Sequence, residues 1–172
     1  FSNKKNIPVF TELDLFEVAN NIYFPKSDNK FSFSKTIPIM AITGTNGKTS
    51  VVKLITKILK SIGIDAQHAG NVEPSLLEAF LERKIKKKIP DIWVLELSSF
   101  QLALSNHFSP SFSTILNFSD DHFDWHLNSE EYLLSKLKIF GIPKPTAKPF
   151  ICRDAPKLSE RINQYFKNQK KS

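Results

Sequence analysis

The sequence predicts an α/β fold, a mostly parallel sheet with helices on both faces. Three observations carry this expectation. Apolar runs of strand length alternate with segments of helical period. A glycine-rich turn joins one such strand directly to an amphipathic helix. The polar residues of chemical interest fall just past strand ends, where open parallel sheets collect their ligands.

Taken in order, residues 1–36 stand apart: "IPVFTELDLFEVANN" reads as a short strand and a helix, and the polar stretch "PKSDNKFSFSK" follows. We read them as the end of an upstream domain plus a linker, with residues 37–172 forming a partial sheet domain. "PIMAIT" (38–43) is a buried strand leading through the glycine-rich turn into a helix over 48–62. On that helix Val51, Ile55, Ile58 and Ile62 fall on one face, and Gly63 supplies the stop. A short strand over 64–70 and a helical stretch opened by Pro74 come next, then strands at "IWVLEL" (92–97) and "FSTILNF" (112–118). Ser129 is placed to cap the helix "SEEYLLSKLKIF", and "PFIC" gives one more strand.

Composition narrows the function classes. The net charge of +7 comes from scattered lysines that peak at "RKIKKK" and in the tail "KNQKKS". No aromatic-studded RNA motif or basic recognition helix accompanies them, so they read as solvated faces rather than a nucleic-acid surface. Cys152 is the single cysteine, which excludes an intrachain disulfide and fits a reducing compartment. No apolar run approaches the roughly 20 residues of a membrane span, and no signal-peptide pattern opens the chain. A cytoplasmic protein without a membrane partner is expected. The first residue is Phe1 and the only methionine, Met40, lies inside an expected strand, so we expect a fragment of a longer protein.

The chemistry concentrates in "GTNGKT". Holding a polyphosphate takes converging backbone amides, a helix N-terminus, a lysine for the outer phosphates and a hydroxyl for Mg²⁺. Gly44, Thr45, Asn46, Gly47, Lys48, Thr49 and Ser50 supply these between a strand and a helix, which points to an ATP phosphate cradle. The pattern departs from the full phosphate-loop signature, whose first glycine would fall at Ile42. Glu96 closes an apolar strand and reads either as a Mg²⁺ ligand or as an ordinary strand-end glutamate. "NFSDDHFDWH" gathers Asp120, Asp121, His122, Asp124 and His126; its spacing names no metal, and a polar loop with capping aspartates accounts for it equally. Lys136, flanked by Tyr132 and Phe140 at helical spacing, reads on physical grounds as a snorkelling surface lysine.

"TGTNGKTS", "GNVEPSLLE", "ELSSFQL", "ILNFSDDHFDWH" and "YLLSKLKIF" occur in this order and together resemble the Mur ligases of peptidoglycan synthesis. The resemblance implies an ATP-dependent amide ligase, monomeric, with a central ATPase domain between a UDP-substrate domain and a closing C-terminal domain absent here. The "ELSSFQL" block resembles the branch that adds D-glutamate to UDP-N-acetylmuramoyl-L-alanine through an acyl phosphate. Within that resemblance Lys48 grips phosphate, and Thr49 and Glu96 hold a first Mg²⁺. His122 ligates a second Mg²⁺, and Lys136 is carried as a carbamate beside it. Asn71, Ser98 and Gln101 match positions that contact the substrate; Asn117 is assigned no role. The fragment alone is then expected not to ligate. A sister enzyme such as folylpolyglutamate synthase, or a non-catalytic nucleotide-binding remnant, stays open as an alternative.

Overall fold

A computed structural model describes residues 9–23, 36–119 and 125–169. Five strands, β1 (Ile39–Thr43), β2 (Ala66–Gly70), β3 (Ile92–Glu96), β4 (Phe112–Ile115) and β5 (Lys148–Ile151), form one sheet in the order β2-β3-β1-β4-β5. Every neighbouring pair is parallel. That arrangement needs cover on both faces, and β3 is buried along its whole length, as the unbroken apolar run requires.

One face carries α2 (Lys48–Ser61), whose Val52 packs with Ile42, Ala66, Ile92 and Val94. The other face carries α1 (Glu12–Tyr23), α3 (Leu76–Ile85), α4 (Ser99–Leu104), α5 (Ser129–Leu137) and α6 (Pro156–Gln169), which share the larger core. Helix α1, set apart by the sequence reading, inserts Leu13 and Phe16 into that core, and Phe16 meets Trp93 edge to face at 5.2 Å.

The inner face of α2 differs from the expected one. Val52 and Thr56 are buried, while Ile58 and Ile62 are exposed and Val51 and Ile55 lie at the margin. Thr56 hides the true face from a count of apolar residues, because its hydroxyl donates to Val52 O at 2.8 Å and so buries without loss. Gly63 ends the helix at φ +80, as expected.

Other boundaries also move. Asn128, not Ser129, caps α5, its Oδ1 accepting from Glu131 N at 2.9 Å. β4 stops at Ile115 rather than 118, because the residues after it turn to bond the glycine-rich loop. Helices α4 and α6 were not expected. In α6 the buried Leu158 and Ile162, and Phe166 against Phe140 at 5.1 Å, make a sparse apolar row within a lysine-rich tail.

Candidate active site

The loop between β1 and α2 sits at the carboxyl end of the sheet's central strand. Gly47 takes φ +77, a left-handed conformation that turns the chain into the helix. A side chain at Gly44 would press against Leu116 Cβ at 3.2 Å, so the loop lies tight on the end of β4. Its first bond of the helical ladder runs from Val51 N to Gly47 O at 3.1 Å. The amides of Lys48, Thr49 and Ser50 therefore precede the ladder and stand at the positive end of the helix dipole. Lys48 Nζ curls over the loop, donating to Gly44 O at 3.0 Å and Thr45 O at 2.9 Å.

Glu96, at the end of β3, is only 1% exposed. A carboxylate so placed must be paired. Thr49 Oγ1 donates to its Oε2 at 2.7 Å and Asn71 Nδ2 to its Oε1 at 3.1 Å. Asn71 is brought there by Gly70, whose φ is +116 and whose missing side chain would lie 2.2 Å from Glu96 O. A hydroxyl and a carboxylate within hydrogen-bond distance on converging elements make a hard, oxygen-only donor set. Those residues fit Mg²⁺, which takes one or two protein carboxylates and completes its shell with phosphates and water.

Lys136 overturns the snorkelling reading. It is 2% exposed, its Nζ donates to Gly44 O at 3.0 Å and lies 4.4 Å from the centre of the Tyr132 ring. The α-helix ends at Leu137 and Phe140 lies in the 3₁₀ turn that follows, but α5 turns the face bearing Tyr132 and Lys136 inward, under the glycine-rich loop. Two lysines from different elements thus meet one loop carbonyl. His126, at the end of the acidic stretch, is buried; its Nε2 bonds Ser99 Oγ at 2.9 Å and its ring stacks on Phe100. It serves as a core histidine. His122 and the three aspartates lie outside the described residues.

The Mur ligase middle domain matches residues 42–172. The chain belongs to the Mur ligase family. The UDP-N-acetylmuramoylalanine–D-glutamate ligase of Nitrosomonas europaea is 39% identical over 140 residues, 81% of this chain and 28% of that protein. The protein of that name from Cupriavidus pinatubonensis is 38% identical over 152 residues, 85% of this chain and again 28% of the relative. The chain thus spans little more than a quarter of the length of these relatives. Among solved structures, the MurF ligase of Thermotoga maritima in complex with ADP superposes with a TM-score of 0.62 at 18% identity, covering 92% of this chain and 36% of that one. Escherichia coli FolC, also solved with ADP, gives 0.58 at 14% identity, covering 96% and 46%. At such identities the likeness concerns the Mur ligase fold.

Within this Mur ligase frame the remaining site residues divide. Ser98 and Gln101 come together as a capping box on α4: Ser98 Oγ accepts from Gln101 N at 3.2 Å, and Gln101 Oε1 accepts from Ser98 N at 3.0 Å. Asn117 and Tyr132 were given no role from the sequence, yet Asn117 bonds Thr45 and Asn46, and Tyr132 OH lies 3.5 Å from Thr45 Oγ1. Asn117 follows β4, so the strand-end rule that singled out Glu96 reaches it too. Among the described residues no helix is long and apolar enough to cross a membrane.

Proposed function

We propose that this chain is the nucleotide-binding part of a ligase that joins D-glutamate to UDP-N-acetylmuramoyl-L-alanine, with ATP as phosphoryl donor. The observation that carries the reading is the Thr49–Glu96 pair, set at strand ends beside a lysine-bearing loop and a helix N-terminus. The names of the relatives and the ADP in two structural neighbours support the choice of substrates. Residues 1–36 are the end of the substrate domain, α1 being the piece docked on the sheet. The enzyme works as a monomer in the cytoplasm.

The amides that open α2 and Lys48 hold the β- and γ-phosphates. Thr49 and Glu96 would hold Mg²⁺, which would supply charge neutralisation between the phosphates and the carboxylate they approach. Asn71 orients Glu96 by its bond to Oε1, leaving Oε2 to face Thr49. Ser98, the N-cap of α4, and Gln101 in its first turn meet the muramoyl-alanine end with whatever bonding capacity their capping box leaves free.

Lys136 would be carried as a carbamate and, with His122, would hold a second Mg²⁺. The neutral amine adds to CO₂, forming an N–C bond and releasing one proton. Carbamylation leaves one N–H on Nζ and adds an anionic carboxylate to it, and Gly44 O keeps a donor in either form because Lys48 also donates to it.

The test is D-glutamate addition by the protein at the full length of its relatives. Lys48→Ala should lower turnover roughly a thousandfold and leave the melting temperature unchanged. Wild-type turnover in that variant removes the assignment. The isolated 172-residue chain should not ligate, since closure by further domains excludes water and presents the amine.

A further inference from the structure

Asn117 spends its side chain on two consecutive residues of the glycine-rich loop. Its Oδ1 accepts from Thr45 N at 3.0 Å and from Asn46 N at 2.9 Å, and its Nδ2 donates to Asn46 O at 3.0 Å. Its backbone carbonyl accepts from Thr45 N as well, at 3.2 Å. One oxygen accepting from successive amides is the arrangement by which backbone nests hold anions. Here a neutral carboxamide of the same chain occupies that role. Asn117 is exposed, so packing in the core does not account for these bonds.

The loop has two sets of amides. Those of Thr45 and Asn46 are taken by Asn117, while those of Lys48, Thr49 and Ser50 precede the helical ladder and have no partner within the helix. We propose that Asn117 is a positioning residue that divides these donors, fixing the first half of the loop to the end of β4 so that the second half meets the phosphates. The inference rests on the phosphate-cradle reading above.

A neutral acceptor matters at this place. An aspartate would accept from the same two amides and keep the loop's shape, but would set a negative charge beside a polyphosphate. It would also lose the bond from Nδ2 to Asn46 O. A purely structural role predicts that aspartate substitutes well and alanine poorly; a positioning role beside phosphate predicts the reverse order.

The experiment is calorimetric titration of the 172-residue chain with magnesium tripolyphosphate, which reads the cradle without the adenine, alongside melting temperatures. Asn117→Ala should weaken binding about tenfold, the loss of one or two net hydrogen bonds in loop order. Asn117→Asp should weaken it further while melting no lower than the alanine variant, and raised salt should narrow the gap between the two. Wild-type affinity in either variant overturns the proposal. If Lys48→Ala abolishes binding while both Asn117 variants bind normally, the cradle stands and the role of Asn117 falls. If the unaltered chain takes no tripolyphosphate, both fall together.

Discussion

Two polar clusters of this molecule look alike as lists of hydrogen bonds and differ in what they can do. Around Asp14, 1% exposed, Oδ1 accepts from Ser105 Oγ at 2.6 Å and from the amides of Asn106 and His107, while Oδ2 accepts from the amide and hydroxyl of Thr11. Its partners are largely backbone groups, fixed by the chain. Around Glu96, equally buried, the partners are the side chains of Thr49 and Asn71, both exposed residues that can turn to another ligand. The first cluster clips α1 to the end of α4. The second can exchange an internal partner for an external one, and that distinguishes a site from a rivet.

The largest effect should come where the comparison is most strained, at Lys136, buried like Asp14 yet bonded to the glycine-rich loop. On the carbamate proposed above, Lys136→Ala in the protein at the full length of its relatives should lower D-glutamate addition roughly a thousandfold, and added short carboxylic acids should restore part of it by filling the anionic position. Lys136→Arg should fail as well, since a guanidinium keeps its charge and is not carbamylated. An arginine variant with wild-type turnover places Lys136 with the rivets.

Asp14 should behave in the opposite way. Burial alone would raise its pKa, but the hydrogen bonds from Ser105 and from the Thr11, His107 and Asn106 backbone outweigh that and hold the carboxyl well below its ordinary value of 3.8. A depressed carboxyl contributes stability above its ordinary pKa and loses it as pH falls through the folded-state value. Asp14→Ala strands the buried Ser105 hydroxyl together with the partly buried donors of Thr11, Asn106 and His107, and should cost about 3 kcal/mol in chemical denaturation at neutral pH, with tripolyphosphate affinity unchanged. A variant that unfolds normally but binds tenfold worse would show that the two clusters are coupled through α4.

The sequence made one cluster legible and not the other. "GTNGKT" between a strand and a helix constrains backbone, charge and hydroxyl together, and Glu96 closes an apolar run, where a carboxylate has little reason to be. Asp14 reveals itself only as a first-turn aspartate, because its main partners are backbone amides 92 and 93 residues away. The same limit hid Asn117, whose partners lie 71 and 72 residues away. The middle of the sheet was readable because β1 and β3 are nearly continuous buried apolar runs. The inner face of α2 was not, because Thr56 satisfies its own hydroxyl, and α6 was not, because its apolar row is thin among lysines.

The smallest expected effect concerns Glu17, a buried carboxyl that belongs to neither cluster. It borders a cavity of about 440 Å³ with Asn21, Thr36, Ser109, Ser111, Thr146 and Lys148, by the starts of β4 and β5 and so opposite the glycine-rich loop. Its Oε2 has no hydrogen-bond partner among the described residues. Burial pushes its pKa from 4.5 up to about 7, and hydrogen bonds from the Ser109 backbone and the Asn21 side chain offset this only in part. The folded chain therefore holds a proton that the unfolded chain releases near pH 4.5. Stability should be unaffected by Glu17 below that pH, fall as pH rises from about 4.5 to about 7, and level off above it. The loss is at most about 3 kcal/mol. Glutamine keeps the shape without the charge, so Glu17→Gln should match the unaltered chain at pH 4.5 and melt about 4–8 °C higher at pH 8. A difference that stays constant from acid to alkaline pH would mean that Glu17 acts by shape alone, through Asn21 and Ser109, and that its ionisation does not strain the fold.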